Sequence, residues 1–105
     1  MRSLTEILAK IDEATERYET QQLGLVQDQA EILRDLSTAL HFLVPHKIEA
    51  HKQWLEAYYN HKGSNPQKER HADKTVPDLY MIRHFLNSGY KVMESIRSTL
   101  SANKQ

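Results

Sequence analysis

The sequence predicts an all-α protein, and three observations support this prediction. Apolar and small residues recur in alternating steps of three and four along the last third of the chain, which is the spacing of a packed helix. Only three glycines and three prolines interrupt the 105 residues, and strands with hairpins need more turn signals than that. With 39% hydrophobic residues, the chain can form one modest core. We therefore predict a single helical domain over residues 1–105.

The first stretch predicts one long helix over residues 3–44. Ser3 and Glu6 have the spacing of a capping box at its start. Two helices hinged near Gly24 also fit the apolar pattern, but the residues around this glycine are mostly good helix formers and favour a continuous helix. A helix of roughly 60 Å cannot bury its apolar side within a compact monomer of this size. The pattern therefore predicts a homo-oligomer.

Pro45 is predicted to separate the long helix from a short middle helix over residues 45–62. Proline disfavours a helical conformation in the residue before it and suits the first position of the helix that follows. Gly63 is placed to end this middle helix. The next residues carry only Ala72 as an apolar side chain, so residues 63–76 are predicted to form a polar loop, with a solvated helical turn as the alternative.

The final helix is predicted over residues 77–101, with Pro77 at its first position. Gly89 lies inside the apolar stripe, where glycine costs on the order of 1 kcal/mol against alanine, so we expect another helix to approach closely there. The polar loop cannot cover the stripe, which is therefore expected to pack on the long first helix of the same chain or of another. The predicted oligomerisation residues are Leu79, Ile82, Leu86, Gly89, Met93 and Ile96.

Several classes of function lack their sequence signals. The chain has no cysteine, which excludes disulfides, thiolate metal sites and cysteine nucleophiles. Three separated glycines cannot form a phosphate-binding loop, and there is no nucleophile elbow. His41, His46 and His51 are five residues apart, which is the wrong spacing for ligands on one helical face. We therefore expect no enzymatic activity, no metal and no cofactor.

The chain also lacks membrane and secretion signals. No apolar run approaches the roughly 20 residues of a membrane span. The first ten residues have no hydrophobic signal-peptide core. We therefore expect a cytoplasmic protein without a membrane partner.

The formal net charge is zero, but the charge is unevenly divided. Residues 1–44 hold four basic and eight acidic residues, a net charge of −4, whereas residues 45–105 hold ten basic and six acidic residues, a net charge of +4. Two interpretations remain open. The halves attract each other within a chain or between subunits, or the second half faces an anionic partner.

Aromatic and basic residues are interleaved in the middle of the chain. Single-stranded nucleic acid needs both, because bases stack on aromatic rings while phosphates pair with cations. Alternatively, Trp54 and Tyr58 pack in a helical core and the lysines are solvated, and Glu56 and Glu69 dilute the patch. The candidate nucleic-acid-binding residues are Lys52, Trp54, Tyr58, Tyr59, Lys62, Lys68, Arg70 and Lys74.

Residues 40–100 carry a loose combination of motifs. Trp54-Leu55 and Tyr58-Tyr59 precede a polar turn, and Ser88-Gly89 lies in the final helix. In this order the segment resembles the UvsY-like recombination mediator proteins of T-even phages and related small helical phage proteins. The resemblance implies a helical oligomer that binds single-stranded DNA and helps to load a recombinase onto strands covered by single-strand-binding protein.

These observations lead to one leading functional prediction and two alternatives. We expect a small non-catalytic helical oligomer that acts as a phage-type recombination accessory on single-stranded DNA. The first alternative is a protein-binding adaptor or an inhibitor of a host protein, in which the long helix presents an exposed stripe. The second is a helical module that sequesters a small anionic ligand between subunits.

Overall fold

The computed structural model describes residues 2–20 and 26–103. Within these residues the chain forms helices and no strand, so the predicted all-α class is confirmed. The helices are α1 (Leu4–Thr20), α2 (Val26–Asn60), α3 (Asn65–Thr75) and α4 (Asp78–Asn103). The 35 residues of α2 span about 52 Å at 1.5 Å per residue, which nearly matches the 57 Å length of the molecule.

Helices α1 and α2 form an antiparallel hairpin, so the prediction of one helix over residues 3–44 is wrong. At the end of α1, the Arg17 Nη1 atom lies 3.1 Å from the carboxylate of Asp35. Just before α1, the guanidinium of Arg2 lies 4.1 Å from the ring centre of Phe42. The start of α1 thus lies next to the middle of α2, and the end of α1 lies near the start of α2, which requires the chain to reverse between the two helices.

The hairpin buries the apolar side of α1 within a single chain. Ile7, Ile11 and Ala14 are each at most 2% exposed. The argument for self-association from an unburied 60 Å helix therefore no longer applies, and the homo-oligomer stays a prediction. The alternative hinge at Gly24 falls within residues 21–25, which lie outside the described residues.

Pro45 lies inside α2 and does not end a helix, so the predicted boundary between residues 44 and 45 is wrong. Proline lacks an N–H group and leaves the carbonyl of His41 without its usual helical donor, which costs roughly 3 kcal/mol. Tertiary packing offsets this cost, because Leu43 and Ala50 on either side of the proline are 0% and 7% exposed. The ring of His46 also donates a hydrogen bond of 2.6 Å to the backbone carbonyl of Arg2.

Most of the predicted polar loop over residues 63–76 is helix α3, and this prediction is also wrong. Ser64 caps the helix by accepting a hydrogen bond from the Gln67 amide, and the Gln67 side chain accepts one from the Ser64 amide. Ala72 is fully buried and is the one buried residue of this polar helix, which packs on α2. Gly63, at a φ of +146° between α2 and α3, adopts a backbone conformation that L side chains rarely reach.

Helix α4 confirms the prediction for residues 77–101 to within two residues at its end. A Cβ atom added to Gly89 would lie 2.8 Å from the Leu40 Cδ2 atom of α2, so this glycine does mark a close approach of two helices. The six residues predicted for oligomerisation are all buried within the single chain. They pack in the core shared by α1, α2 and α4, and their role in oligomerisation stays a prediction.

The three other helices cover α2 unevenly. α1 packs on its first half, α4 packs along its middle, and α3 packs on its last turns. Among the helices that the structure describes, none covers one side of the second half of α2. Among the described helices, none combines the length and the apolar composition needed to cross a membrane.

Candidate functional site

A row of exposed apolar side chains runs along the second half of α2. Its members on α2 recur at steps of four, seven and four residues, which places them on one side of a helix. Ile48 is 64% exposed and Tyr59 is 71% exposed, although large apolar side chains are normally found in the interior. We call the open face the set Val44, Ile48, Leu55 and Tyr59 of α2 together with Tyr90 of α4.

The open face lines two adjoining surface grooves. One groove, of about 500 Å³, lies along α2 from Ile48 to Asn60. The other, of about 450 Å³, lies between α2 and α4 and is bounded by Val44 and Tyr90. Ile48 and His51 line both grooves, which therefore form one continuous depression along the helix.

Cations predominate among the charged side chains that line these grooves. Lys47 and Arg83 line the groove between α2 and α4, and Lys52 lies in the groove along α2. Glu56 is the one carboxylate that lines either groove within the described part of the chain. By the 100° step of the helix, Lys47 and Lys52 lie on opposite sides of the apolar row. The result is an apolar strip with the cations Lys47 and Arg83 on the edge towards α4 and with Lys52 next to Glu56 on the other edge.

The aromatic residues of the predicted nucleic-acid cluster attach α3 to α2. The rings of Trp54 and Tyr58 are stacked with centres 5.3 Å apart. The indole N–H of Trp54 donates a 2.9 Å hydrogen bond to Asp73 of α3. The hydroxyl of Tyr58 donates a 3.1 Å bond to the side chain of Asn65, and Lys68 lies 5.6 Å from its ring centre. These rings hold two helices together and are only half exposed.

The eight predicted nucleic-acid-binding residues extend around α2 and onto α3. Lys52 and Trp54 are two residues apart, so they point about 160° away from each other around α2. Tyr59 accompanies Lys52 on the side of the open face, and its ring meets the ring of Tyr58 edge to face with centres 5.1 Å apart. Lys62, Arg70 and Lys74 are exposed at the junction of α2 and α3 and on α3 itself. The aromatic residues are therefore connected, while the cations are spread over more than one side of α2.

The open face was only partly visible in the sequence. In the sequence, Ile48, His51, Leu55 and Tyr58 have the spacing of a narrow apolar face on one helix. The structure buries Ala50 and leaves Ile48 exposed. Sequence reasoning missed Val44, Arg83 and Tyr90 as members of the site. The steps of four, seven and four between Val44 and Tyr59 were the signal that could have located it.

Another cleft lies between α1 and α2, but its shape and charge are unlike those of a ligand pocket. Its volume is about 210 Å³, below the roughly 300–1,000 Å³ typical of small-molecule sites. Both signs of charge line it, and Arg17 pairs across it with Asp35 at 3.1 Å. Within residues 2–20 and 26–103, no three histidine or carboxylate side chains are grouped as metal ligands would be.

Comparison of the chain with protein-family models, with curated proteins and with solved structures gives no match. The resemblance to recombination mediators therefore stays a prediction. Geometry and chemistry of the open face carry the functional argument.

Proposed function

We propose that this protein is a non-catalytic helical module that binds another protein through the open face of α2. The observation that carries this proposal is the exposure of a continuous apolar row on a helix that also supplies buried residues to the core. Contiguous exposed apolar surface is typical of interaction sites, whereas single exposed hydrophobic side chains are not informative.

The composition of the open face supports this proposal. Interface centres are enriched in aromatic residues, and tyrosine often dominates the binding energy. Tyr59 and Tyr90 flank Ile48 and Leu55 here. Fully burying an isoleucine or leucine side chain contributes about 1.5–3 kcal/mol. Because Ile48 is 64% exposed, most of this energy remains available to a partner.

The experiment compares two exposed apolar positions on the same helix. Ile48→Asp introduces a charge into the centre of the open face, whereas Val26→Asp introduces it at the start of α2, where Val26 is 52% exposed. The tagged wild-type chain and both variants are expressed in the native host, and bound proteins are identified and then titrated in purified form. We expect a partner that binds the wild type and Val26→Asp equally and binds Ile48→Asp at least about tenfold more weakly.

Thermal unfolding of both variants provides the folding control. Neither side chain contributes to the core, so both melting temperatures should stay within a few degrees of the wild type. A partner that binds all three chains equally would contradict the proposal, as would a melting temperature that falls for Ile48→Asp alone.

Single-stranded DNA binding is the second candidate function. It is favoured by the exposed cations Lys62, Arg70 and Lys74, which lie near one end of α2 with the half-exposed stacked pair Trp54 and Tyr58. Cations next to accessible ring edges are what a single strand requires. As a recombination accessory of the predicted kind, the protein would act through this end and not through the open face.

Trp54 is the only tryptophan and reports directly on this candidate. We expect its fluorescence to change on titration with single-stranded DNA at low salt, and this change to be lost at high salt because phosphate contacts release counterions. Lys62→Glu with Lys74→Glu should abolish the response, while Lys10→Glu on α1 should not. A response that is absent, or insensitive to salt, would remove the DNA function.

A further inference from the structure

We propose that the partner segment on the open face is an amphipathic helix with carboxylates along the edge that faces Lys47 and Arg83. This inference rests on the proposed docking function and names the chemistry of the occupant. Three properties of the face lead to it: its length, its position against two helices and the sign of its charged edges.

The open face has the dimensions of a helix-binding groove. From Val44 to Tyr59 it extends over 15 residues of α2, which is about 22 Å at 1.5 Å per residue. Four to five turns of a partner helix match this length. Recognition of an amphipathic helix by an apolar groove is a recurring mode in which anchors at helical spacing enter the groove. The steps between Val44, Ile48, Leu55 and Tyr59 present the complementary spacing.

A helix laid in this depression would contact two helices at once. Ile48 of α2 and Tyr90 of α4 line the same groove. Further along the molecule, α1 already packs on α2 and α4 in this manner. A docked helix would thus complete a three-helix arrangement at the second half of α2. At the first half, α1 of the same chain completes this arrangement with α2 and α4.

The charges along the edges of the open face determine which charge a partner must carry. Lys47 and Arg83 lie on the edge towards α4, and Lys52 lies on the opposite edge. Glu56 follows Lys52 by one helical turn, so that edge carries one charge of each sign, whereas no acidic residue lines the edge towards α4 among the described residues. Complementary charge around an apolar centre accelerates association and rejects partners of like charge. Carboxylates on the edge of the incoming helix that faces Lys47 and Arg83 fit this arrangement.

A second copy of this chain fits the face less well. Pairing two open faces would bring the cations Lys47, Lys52 and Arg83 of both copies together. The acidic helix α1 of a second copy cannot occupy the open face either, because its apolar residues Ile7 and Ile11 are already buried by α2. Charge repulsion therefore disfavours self-association through this face. The experiment below tests for such self-association by sedimentation velocity.

The probes are two designed helical peptides of about 18 residues with the same leucine stripe. One carries glutamate at every flanking position, and the other carries lysine at the same positions. Binding of each fluorescein-labelled peptide to the full chain is measured by anisotropy at low and high salt. Sedimentation velocity of the free chain and of Ile48→Asp is recorded in parallel.

We expect the acidic peptide to bind the wild type at least about tenfold more tightly than the basic peptide at low salt, with the difference shrinking at high salt. Ile48→Asp should abolish binding of the acidic peptide. The double variant Lys47→Glu with Lys52→Glu should reverse the preference towards the basic peptide. Since Lys52 is exposed and Lys47 half-buried, we expect its circular dichroism spectrum and melting temperature to match the wild type closely.

Three results would overturn the inference. Equal binding of both peptides would show that charge does not select the partner. A dimer of the free chain that Ile48→Asp dissociates would identify a second copy as the occupant. A natural partner that depends on Ile48 but ignores the Lys47→Glu and Lys52→Glu changes would leave the docking function standing and remove only the acidic helix. If no peptide and no natural partner depends on Ile48, the docking function itself fails.

Discussion

The two halves of α2 have similar helical character but opposite surroundings. In the first half, Ile32 and Leu36 are 1% and 0% exposed beneath α1 and α4. In the second half, Ile48 and Leu55 are 64% and 37% exposed on a side that no described helix covers. The difference shows that the apolar side chains of one helix lie in two environments. Those of the first half form the core, and those of the second half remain exposed.

The largest expected effect on stability is the difference between truncating a side chain to alanine in the first half of α2 and in the second half. Leu36→Ala should lower the free energy of unfolding by about 2–5 kcal/mol, because it leaves a cavity in the core. Ile48→Ala should change it by no more than about 0.5 kcal/mol, because the side chain is mostly solvated. Chemical denaturation of both variants measures the two values. Equal losses would mean that the second half is buried in the protein as it exists in solution.

The next effect concerns the closest contact between α2 and α4. Gly89→Leu should lower the free energy of unfolding by about 1–3 kcal/mol or more, since even a Cβ atom at this position would press on Leu40. Asn87→Leu, at an exposed position two residues earlier, is the matched control and should leave stability nearly unchanged. Thermal melts followed by circular dichroism compare the two. Equal tolerance of both changes would contradict the packing of α4 on α2.

A smaller effect is expected where α3 joins the second half of α2. Asp73→Ala removes the acceptor of the Trp54 indole N–H and should weaken the attachment of α3 by about 0.5–1.5 kcal/mol. We expect faster amide exchange within Asn65–Thr75 and a shifted Trp54 emission, while the amides of α1 keep their protection. Exposed Asp78→Ala serves as the control for loss of a carboxylate. Uniform loss of protection in α1 and α3 would mean that the two regions do not open independently.

The smallest effect is expected for the ion pairs between α1 and α2. Arg17 lies 3.1 Å from Asp35 and 3.8 Å from Glu31, and its side chain is 34% exposed. Exposed pairs of this kind contribute about 0–1 kcal/mol, so Arg17→Ala should lower stability slightly, and less at high salt. Urea titrations at two salt concentrations test this. A loss above about 2 kcal/mol would show that charge, more than the apolar contacts of Ile7 and Ile11, holds the hairpin together.

The residues of the candidate site show what sequence patterns can predict and what they cannot. Lys52 and Tyr59 were predicted to bind nucleic acid, and they lie at the open face. Trp54 and Tyr58 were selected by the same pattern, but they attach α3 to α2. Helical spacing alone separates Lys52 from Trp54 by about 160°. Which of the two sides is covered depends on α3, and α3 was expected to be a loop.

Local sequence patterns were sufficient for the helical class, the apolar side of α4 and the close approach at Gly89. These features depend on side-chain spacing and on the size of one residue, and both can be read directly from the sequence. Tertiary packing decided three others: the reversal between α1 and α2, the passage of α2 through Pro45 and the helical state of α3. Packing energy outweighs local preference there, since burial around Leu43 and Ala50 offsets the missing hydrogen bond of Pro45. The open face belongs to the same group, because a row of apolar residues becomes a binding surface only where no other helix covers it.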